Sequence, residues 1–125
     1  MESARDNTEF QLYGTDYETE DGTCVRDYVH VVDIARAHVQ AVDTATPSGV
    51  FNLSTAQCHS NLEILRIAQQ ITGREIWTTE HLRRPGDPAV LTASAAAWNQ
   101  ATGWYPQYDL EEIVQSAWKW YLRVL

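Results

Sequence analysis

Two short stretches concentrate the residue types that do chemistry. Residues 25–33 read VRDYVHVVD, so an arginine, an aspartate, a tyrosine and a histidine crowd into a valine-rich run. Each such group costs about 2 kcal/mol or more if buried without a partner. Strand alternation sends Arg26, Tyr28 and His30 to one face and Val25, Asp27, Val29 and Val31 to the other. On one reading Arg26 heads a ligand-facing row and takes an anion. On the other, Asp27 and His30 are buried and satisfied by backbone groups. The second stretch is RRPGDP, residues 83–88. Two prolines and a glycine fix its backbone, and Arg84 and Asp87 project from one loop. An arginine fork suits a phosphate and an aspartate suits a sugar hydroxyl, so the pair fits a nucleotide. A local salt bridge in a rigid loop is the alternative.

Other constellations carry less. His59 beside Cys58 offers metal or thiolate chemistry, but no second ligand pair has suitable spacing, so no metal site is expected. Ser60 lies near His59, yet the capping box it forms with Glu63 accounts for it. Asn52 opens an N-x-S sequon behind a strand of buried type. Of the five tryptophans, Trp118 falls away from the apolar face of the last helix and is a candidate interface residue.

These residues need elements to hold them. Residues 1–9 are polar and expected to fray as a flexible segment. Residues 10–125 are expected to form a single domain. Within it, FQLY, CVRDYVHVV, GVFNLS and EIWTTEH read as strands. Asp33 reads as the N-cap of a helix through IARAHVQAVD. The Ser60–Glu63 box opens a second helix, with Leu62, Leu65, Ala68 and Ile71 at helical spacing and Gly73 as its stop. A short helix spans about 94–102. An Asp109–Glu112 box opens the last helix, with Leu110, Ile113, Ala117, Trp120 and Val124 on one face. The pattern is α/β of the mixed α+β kind: a small sheet packed with about four helices.

The 125 residues carry a net charge of −8. Nucleic acid binding needs basic patches, so no nucleic acid partner is expected. No apolar run approaches the ~20 residues of a membrane span. No membrane partner is expected, and with no signal segment visible the expected location is cytoplasmic. Cys24 and Cys58 are then expected as free thiols. Eight of the nine basic residues are arginine, a bias suited to one small anion if several converge.

Five segments in order, YGTDYETEDGTCVRDYVHVVDIARAHVQAV, GVFNLST, LEILRIAQQITGREI, RRPGDPAVLTAS and GWYPQYDLEEIVQSAWKW, closely resemble the C-terminal, UDP-sugar-binding part of the UDP-glucose 4-epimerases. These belong to the extended short-chain dehydrogenase/reductase (NAD-dependent epimerase/dehydratase) family. The resemblance implies that Arg26 and Arg84 contact the diphosphate of a UDP-sugar. It implies Asp87 on the uridine ribose, Tyr13 beside the uracil, and a Gln11 backbone group on the base. Asp27, Tyr28 and His30 become framework.

It also exposes what these residues lack. The family's NAD site needs a glycine-rich turn, and the six glycines here are scattered. The family's Y-x-x-x-K pair is impossible, because the sole lysine, Lys119, follows Gln115 at that spacing. The sequence opens on its own Met1 without the family's N-terminal two-thirds. The expectation is a free-standing domain that is not an enzyme, binds no cofactor of its own, and keeps a weak half-site for UDP or a UDP-hexose. Its expected partner is a second copy, giving a homodimer, or a missing Rossmann chain. Tyr13, Tyr28, Val50 and Phe51 would contribute to that surface. An assembly protein without ligand and one subunit of a split epimerase are the alternatives. Finally, the family loop NLGTGxGxS reads NLSTAQCHS here, with Ser54, Ala56 and Cys58 at glycine positions and Asn61 at an apolar one. Without glycine the loop is expected to leave its family conformation.

Overall fold

The computed structural model describes residues 1–42, 45 and 47–123. In chain order they form α1 (Glu2–Asp6), β1 (Phe10–Tyr13), β2 (Val25–Asp27), α2 (Val31–Ala41), β3 (Cys58–Ser60), α3 (Asn61–Thr72), β4 (Thr78–His81), β5 (Val90–Leu91), α4 (Ala96–Thr102) and α5 (Leu110–Arg123). The class is mixed α/β, as expected. Five helices and two small sheets replace the expected four and one. β1 pairs in parallel with β4. β2 lies between antiparallel β3 and parallel β5.

The helices start and stop where local chemistry dictates. The Ser60 hydroxyl accepts from Glu63 N at 3.0 Å to open α3, and Gly73 closes it at φ 64. At α5 the box is reciprocal. Asp109 Oδ1 accepts from Glu112 N and Glu112 Oε2 from Asp109 N, both at 2.9 Å. Such a cap stabilises by about 1 kcal/mol. Leu65 and Ala68 of α3 meet Leu110 and Val114 of α5, with Ala4 and Ile76, in one buried cluster. Ala37, Ala95, Trp98 and Trp104 form a second.

Several expectations are corrected. Within residues 1–9, read as polar and without an element, Glu2–Asp6 form α1, and Ala4, 2% exposed, is buried in the α3–α5 cluster. The strand expected over residues 24–32 stops at Asp27, and α2 begins at Val31. Its N-cap is His30, whose Nδ1 accepts from Val32 N at 3.0 Å. Asp33 lies within the first turn of α2, its carboxylate engaged elsewhere. Residues 50–54 form no strand. Ser54 and Thr55 hydrogen-bond the Asp27 carboxylate, and side-chain bonds of this kind compete with a ladder. On α5 the buried stripe runs Leu110, Val114 and on to Trp118, which packs against the core under the Arg74 guanidinium at 5.4 Å. Trp120 is the exposed tryptophan of α5, and Val124 lies outside the described residues.

Asp33 is the central tie. Its carboxylate has no exposed surface and accepts from Gln107 N at 2.9 Å, Tyr108 N at 3.2 Å and Arg36 Nη1 at 2.7 Å. Its backbone carbonyl accepts from Trp104 Nε1 at 3.1 Å. Ala56 answers the question about the glycine-poor loop: it holds φ 57, the conformation glycine would supply. Its N–H donates to Ser54 Oγ at 2.9 Å. Hydrogen bonds through Ser54 and Asp27 hold this left-handed residue, at a cost of about 1–2 kcal/mol.

Two stability outcomes follow. Asp33→Ala strands two backbone donors and should lower the unfolding free energy by about 2–4 kcal/mol. Arg36→Ala, at a partly exposed pair, should cost under about 1 kcal/mol. Urea titration of both variants measures the difference. Ala56→Gly should raise stability by about 0.5–1 kcal/mol, strain relief outweighing the added chain entropy. A destabilised Ala56→Gly in the same titration contradicts the strain argument.

Candidate functional site

The parallel β1–β4 pair sets one half of the site. Its register puts Tyr13 opposite His81 and Gln11 opposite Thr79, and Gly14 N extends it by donating to His81 O at 2.9 Å. The Tyr13 hydroxyl donates to Gln11 Oε1 at 2.6 Å. The Arg84 guanidinium lies 4.3 Å from the centre of the Tyr13 ring. Arg84 Nε is 3.8 Å from Asp87 Oδ2, and Asp87 N closes the loop onto Arg84 O at 3.2 Å. Gln11, Tyr13, Arg84 and Asp87 are thus joined in one chain of contacts. The Arg84 side chain is 63% exposed, and an open pair at that distance contributes little. Arg84 can exchange the carboxylate for a phosphate at small cost.

Its neighbour Arg83 is committed elsewhere. Its Nε donates to Asp16 Oδ1 at 2.7 Å, and its guanidinium lies 4.4 Å from the Tyr17 ring centre. The Arg83 hydrogen bond holds the Asp16 carboxyl below its usual range, outweighing the opposing effect of burial. Gly14 permits this packing: at φ +80, a Cβ there would meet Tyr17 Cε2 at 2.3 Å. Two adjacent arginines therefore have different tasks, one bracing the loop and one open to solvent.

Arg26 occupies the other half. It sits in β2 opposite His59 of β3 and Leu91 of β5. It faces an open hollow of roughly 390 Å³ lined also by Asp27, Asn52, Leu53, Leu91 and Thr92. Its Nη1 donates to Val25 O at 2.8 Å. The two halves are linked through the chain, since the 83–88 loop runs directly into β5. No contact among the described residues joins Arg26 to the Tyr13 cluster.

The polar residues after Arg26 are framework. Asp27 fastens the 54–55 loop. The Tyr28 hydroxyl donates to Asn61 Oδ1 at 3.3 Å, and burial pushes its acidity to higher pH. This gives Asn61 a partner at its departure from the apolar pattern. His30, 5% exposed, stacks on Tyr108 with centroids 4.2 Å apart. Because Nδ1 accepts an amide, Nε2 carries the proton and donates to Ser116 Oγ at 2.9 Å. His30 is buried and satisfied, and Asp27 is half-buried with its carboxylate taken by Ser54 and Thr55.

The weaker candidates resolve simply. His59 Nδ1 meets Glu63 Oε1 at 2.9 Å. Ser60 caps α3 and also binds Asp21. Burial would raise the Asp21 carboxyl, but hydrogen bonds from Ser60 and Thr23 outweigh it and hold Asp21 below the usual range. Cys24 is buried, Cys58 is exposed and both are free. Among the described residues no three metal-type side chains cluster, and no helix is long and apolar enough to cross a membrane. One site residue escaped sequence reasoning. His81 stacks on Tyr13 with centroids 5.0 Å apart and an interplanar angle of 24°. Its signal was the alternation of EIWTTEH against FQLY, which becomes readable only once the register is known.

Among the described residues no segment forms the Rossmann arrangement for a dinucleotide. It needs a strand, a glycine turn and an open helix N-terminus in succession. Gly14 after β1 leads into a turn, not a helix. After β2, His30 already occupies an amide at the start of α2.

Residues 3–117 match the family model described as GDP-mannose 4,6 dehydratase. The UDP-glucose 4-epimerase of Lacticaseibacillus casei is 47% identical over 95% of this chain and 37% of its own length. That of Streptococcus mutans is 45% identical over 88% of this chain and 34% of its own. The crystal structure of UDP-glucose 4-epimerase from Stenotrophomonas maltophila, with bound NAD and formylated UDP-arabinopyranose, superposes with a TM-score of 0.92. It is 38% identical over 98% of this chain and 38% of that one. The Bifidobacterium longum enzyme in complex with NAD+ and UDP gives 0.87 at 37% identity, over 93% of this chain and 35% of that one. The chain thus spans about a third of the length of these relatives. The expectation that it is not an enzyme is corrected, since its relatives and structural neighbours are UDP-glucose 4-epimerases, an enzyme family. The chain belongs to the nucleotide-sugar epimerase/dehydratase family that this model describes, and corresponds to the C-terminal part of a UDP-glucose 4-epimerase.

Proposed function

We propose that this chain supplies the sugar-nucleotide-binding portion of a UDP-glucose 4-epimerase-like enzyme. Arg26 and Arg84 take the diphosphate, Asp87 the uridine ribose, and Tyr13 with the Gln11 backbone the uracil. The observation that carries this reading is the single chain of contacts from Gln11 through Tyr13 and Arg84 to Asp87. It gathers a ring, a free cation and a hydroxyl acceptor from two distant segments, which is the inventory a uridine diphosphate requires. The ligands in the related structures, UDP and a formylated UDP-arabinopyranose, are of the same class. The proposed activity is epimerisation of a UDP-sugar, in which these residues bind and orient the nucleotide end.

Isothermal titration with UDP tests the reading. The chain alone encloses the ligand on one side, so a Kd in the high-μM to mM range is expected, about −4 to −6 kcal/mol. Arg84→Ala should weaken it about tenfold or more. Equal binding by the variant and the parent chain removes Arg84 from the site.

The same reading calls for a partner: a dinucleotide-binding portion or, failing that, a second copy. The support is apolar surface. Val31, Val39 and Val42 are 71%, 75% and 82% exposed, and Val50 and Leu82 are 99% and 91% exposed. Tyr28 and Phe51 do not belong to that surface. Tyr28 packs on the α3–α5 cluster, and Phe51 lies 5.2 Å from Trp98. In sedimentation at about 100 μM the chain should run heavier than a monomer. A clean monomer at that concentration counts against pairing with itself.

A further inference from the structure

We infer that His81 is a positioning residue for a pyrimidine base, holding the Tyr13 ring as a ready-made stacking platform. The inference rests on the uridine-diphosphate reading and adds to it a residue which that reading does not use.

Tyr13 is restrained from three directions. Strand register sets His81 directly across from it, with the rings in an offset stack 5.0 Å apart. Its hydroxyl is tethered to Gln11 Oε1, which fixes the long axis of the ring. The Arg84 guanidinium lies against it at 4.3 Å. This restraint is spent outside the core: Tyr13 is only half-buried, and Gln11, His81 and Arg84 are exposed. Such pairs contribute little to folding at an exposed edge. A ring held in one orientation beside solvent instead lowers the ordering cost of any flat group laid on it.

The chemistry at the platform narrows the ligand. The stacked imidazole holds the plane of the Tyr13 ring, and an aromatic ring so held is suited to packing against a planar base. Arg84, which lies against Tyr13, and Asp87 belong to the same short loop and supply a cation and a hydroxyl acceptor beside the ring. The ligand is the uridine diphosphate of the reading above. His81 acts through Tyr13 on the base and has no role toward the phosphates.

That division is measurable on the full chain, using UDP and inorganic pyrophosphate as separate probes in calorimetry. His81→Ala should weaken UDP about threefold or more and leave pyrophosphate binding unchanged. His81→Phe should retain UDP affinity, and His81→Leu, of similar bulk without a π face, should not. Arg84→Ala should weaken both probes. If His81→Ala binds UDP like the parent, the inference is overturned while the uridine-diphosphate reading stands. If His81→Ala weakens both probes alike and His81→Phe fails to restore UDP, the role is structural and the inference is overturned. If the parent chain binds neither probe, the uridine-diphosphate reading fails, and the platform with it.

Discussion

A carboxylate with no contact to water organises the C-terminal third of this protein. Asp33 sits on α2 and takes the amides of Gln107 and Tyr108, while its own carbonyl takes the indole of Trp104. Those bonds fix the segment that leads into α5. With Tyr108 held, its ring stacks on His30, and His30 reaches Ser116 on α5. With Trp104 held, the second core closes around Ala37, Ala95 and Trp98. A buried charge is expensive unless its lone pairs are filled, and here charged and backbone donors fill them. β2 and its Arg26 are upstream of the same helix, so one half of the candidate site is braced by this tie.

The site divides its arginines by attachment. Arg83 has a carboxylate, a backbone carbonyl and an aromatic face, all within its own neighbourhood. Arg84, next in sequence, has a ring and a loose ion pair. One maintains the turn and the other is available. Adjacent residues can differ so sharply because the proline and glycine that follow fix the backbone, which sends successive side chains apart.

Much of this was legible from sequence where the governing forces are local. The capping boxes at Ser60–Glu63 and Asp109–Glu112, the stop at Gly73, and the irregular RRPGDP loop all depend on residues a few positions apart. The pairing of Arg84 with Asp87 was legible for the same reason. Asp33 reads locally as a cap, but apart from Arg36 its partners lie 71 to 75 positions away. α1 was missed because a polar pentapeptide has no helical signal until Ala4 meets the α3–α5 cluster. Trp118 and Trp120 were exchanged because a helical stripe widens with length, and packing against Arg74 decided which edge was covered. His81 was invisible because only strand register makes it the neighbour of Tyr13.

The parallel pairing of β1 with β4 bears on how the molecule is made. Parallel neighbours cannot be joined by a hairpin, and here β2, α2, β3 and α3 intervene between them. Closing so long a loop is entropically late, and contacts of this kind slow folding relative to local ones. The aromatic edge therefore exists only after the intervening chain has condensed. A nucleotide bound there would sense completion of the fold, drawing the equilibrium toward the finished molecule by mass action. At tenfold excess over its dissociation constant, even a weak ligand would stabilise the assembled state by about 1.4 kcal/mol. Occupancy and maturation of this protein are then two aspects of one equilibrium.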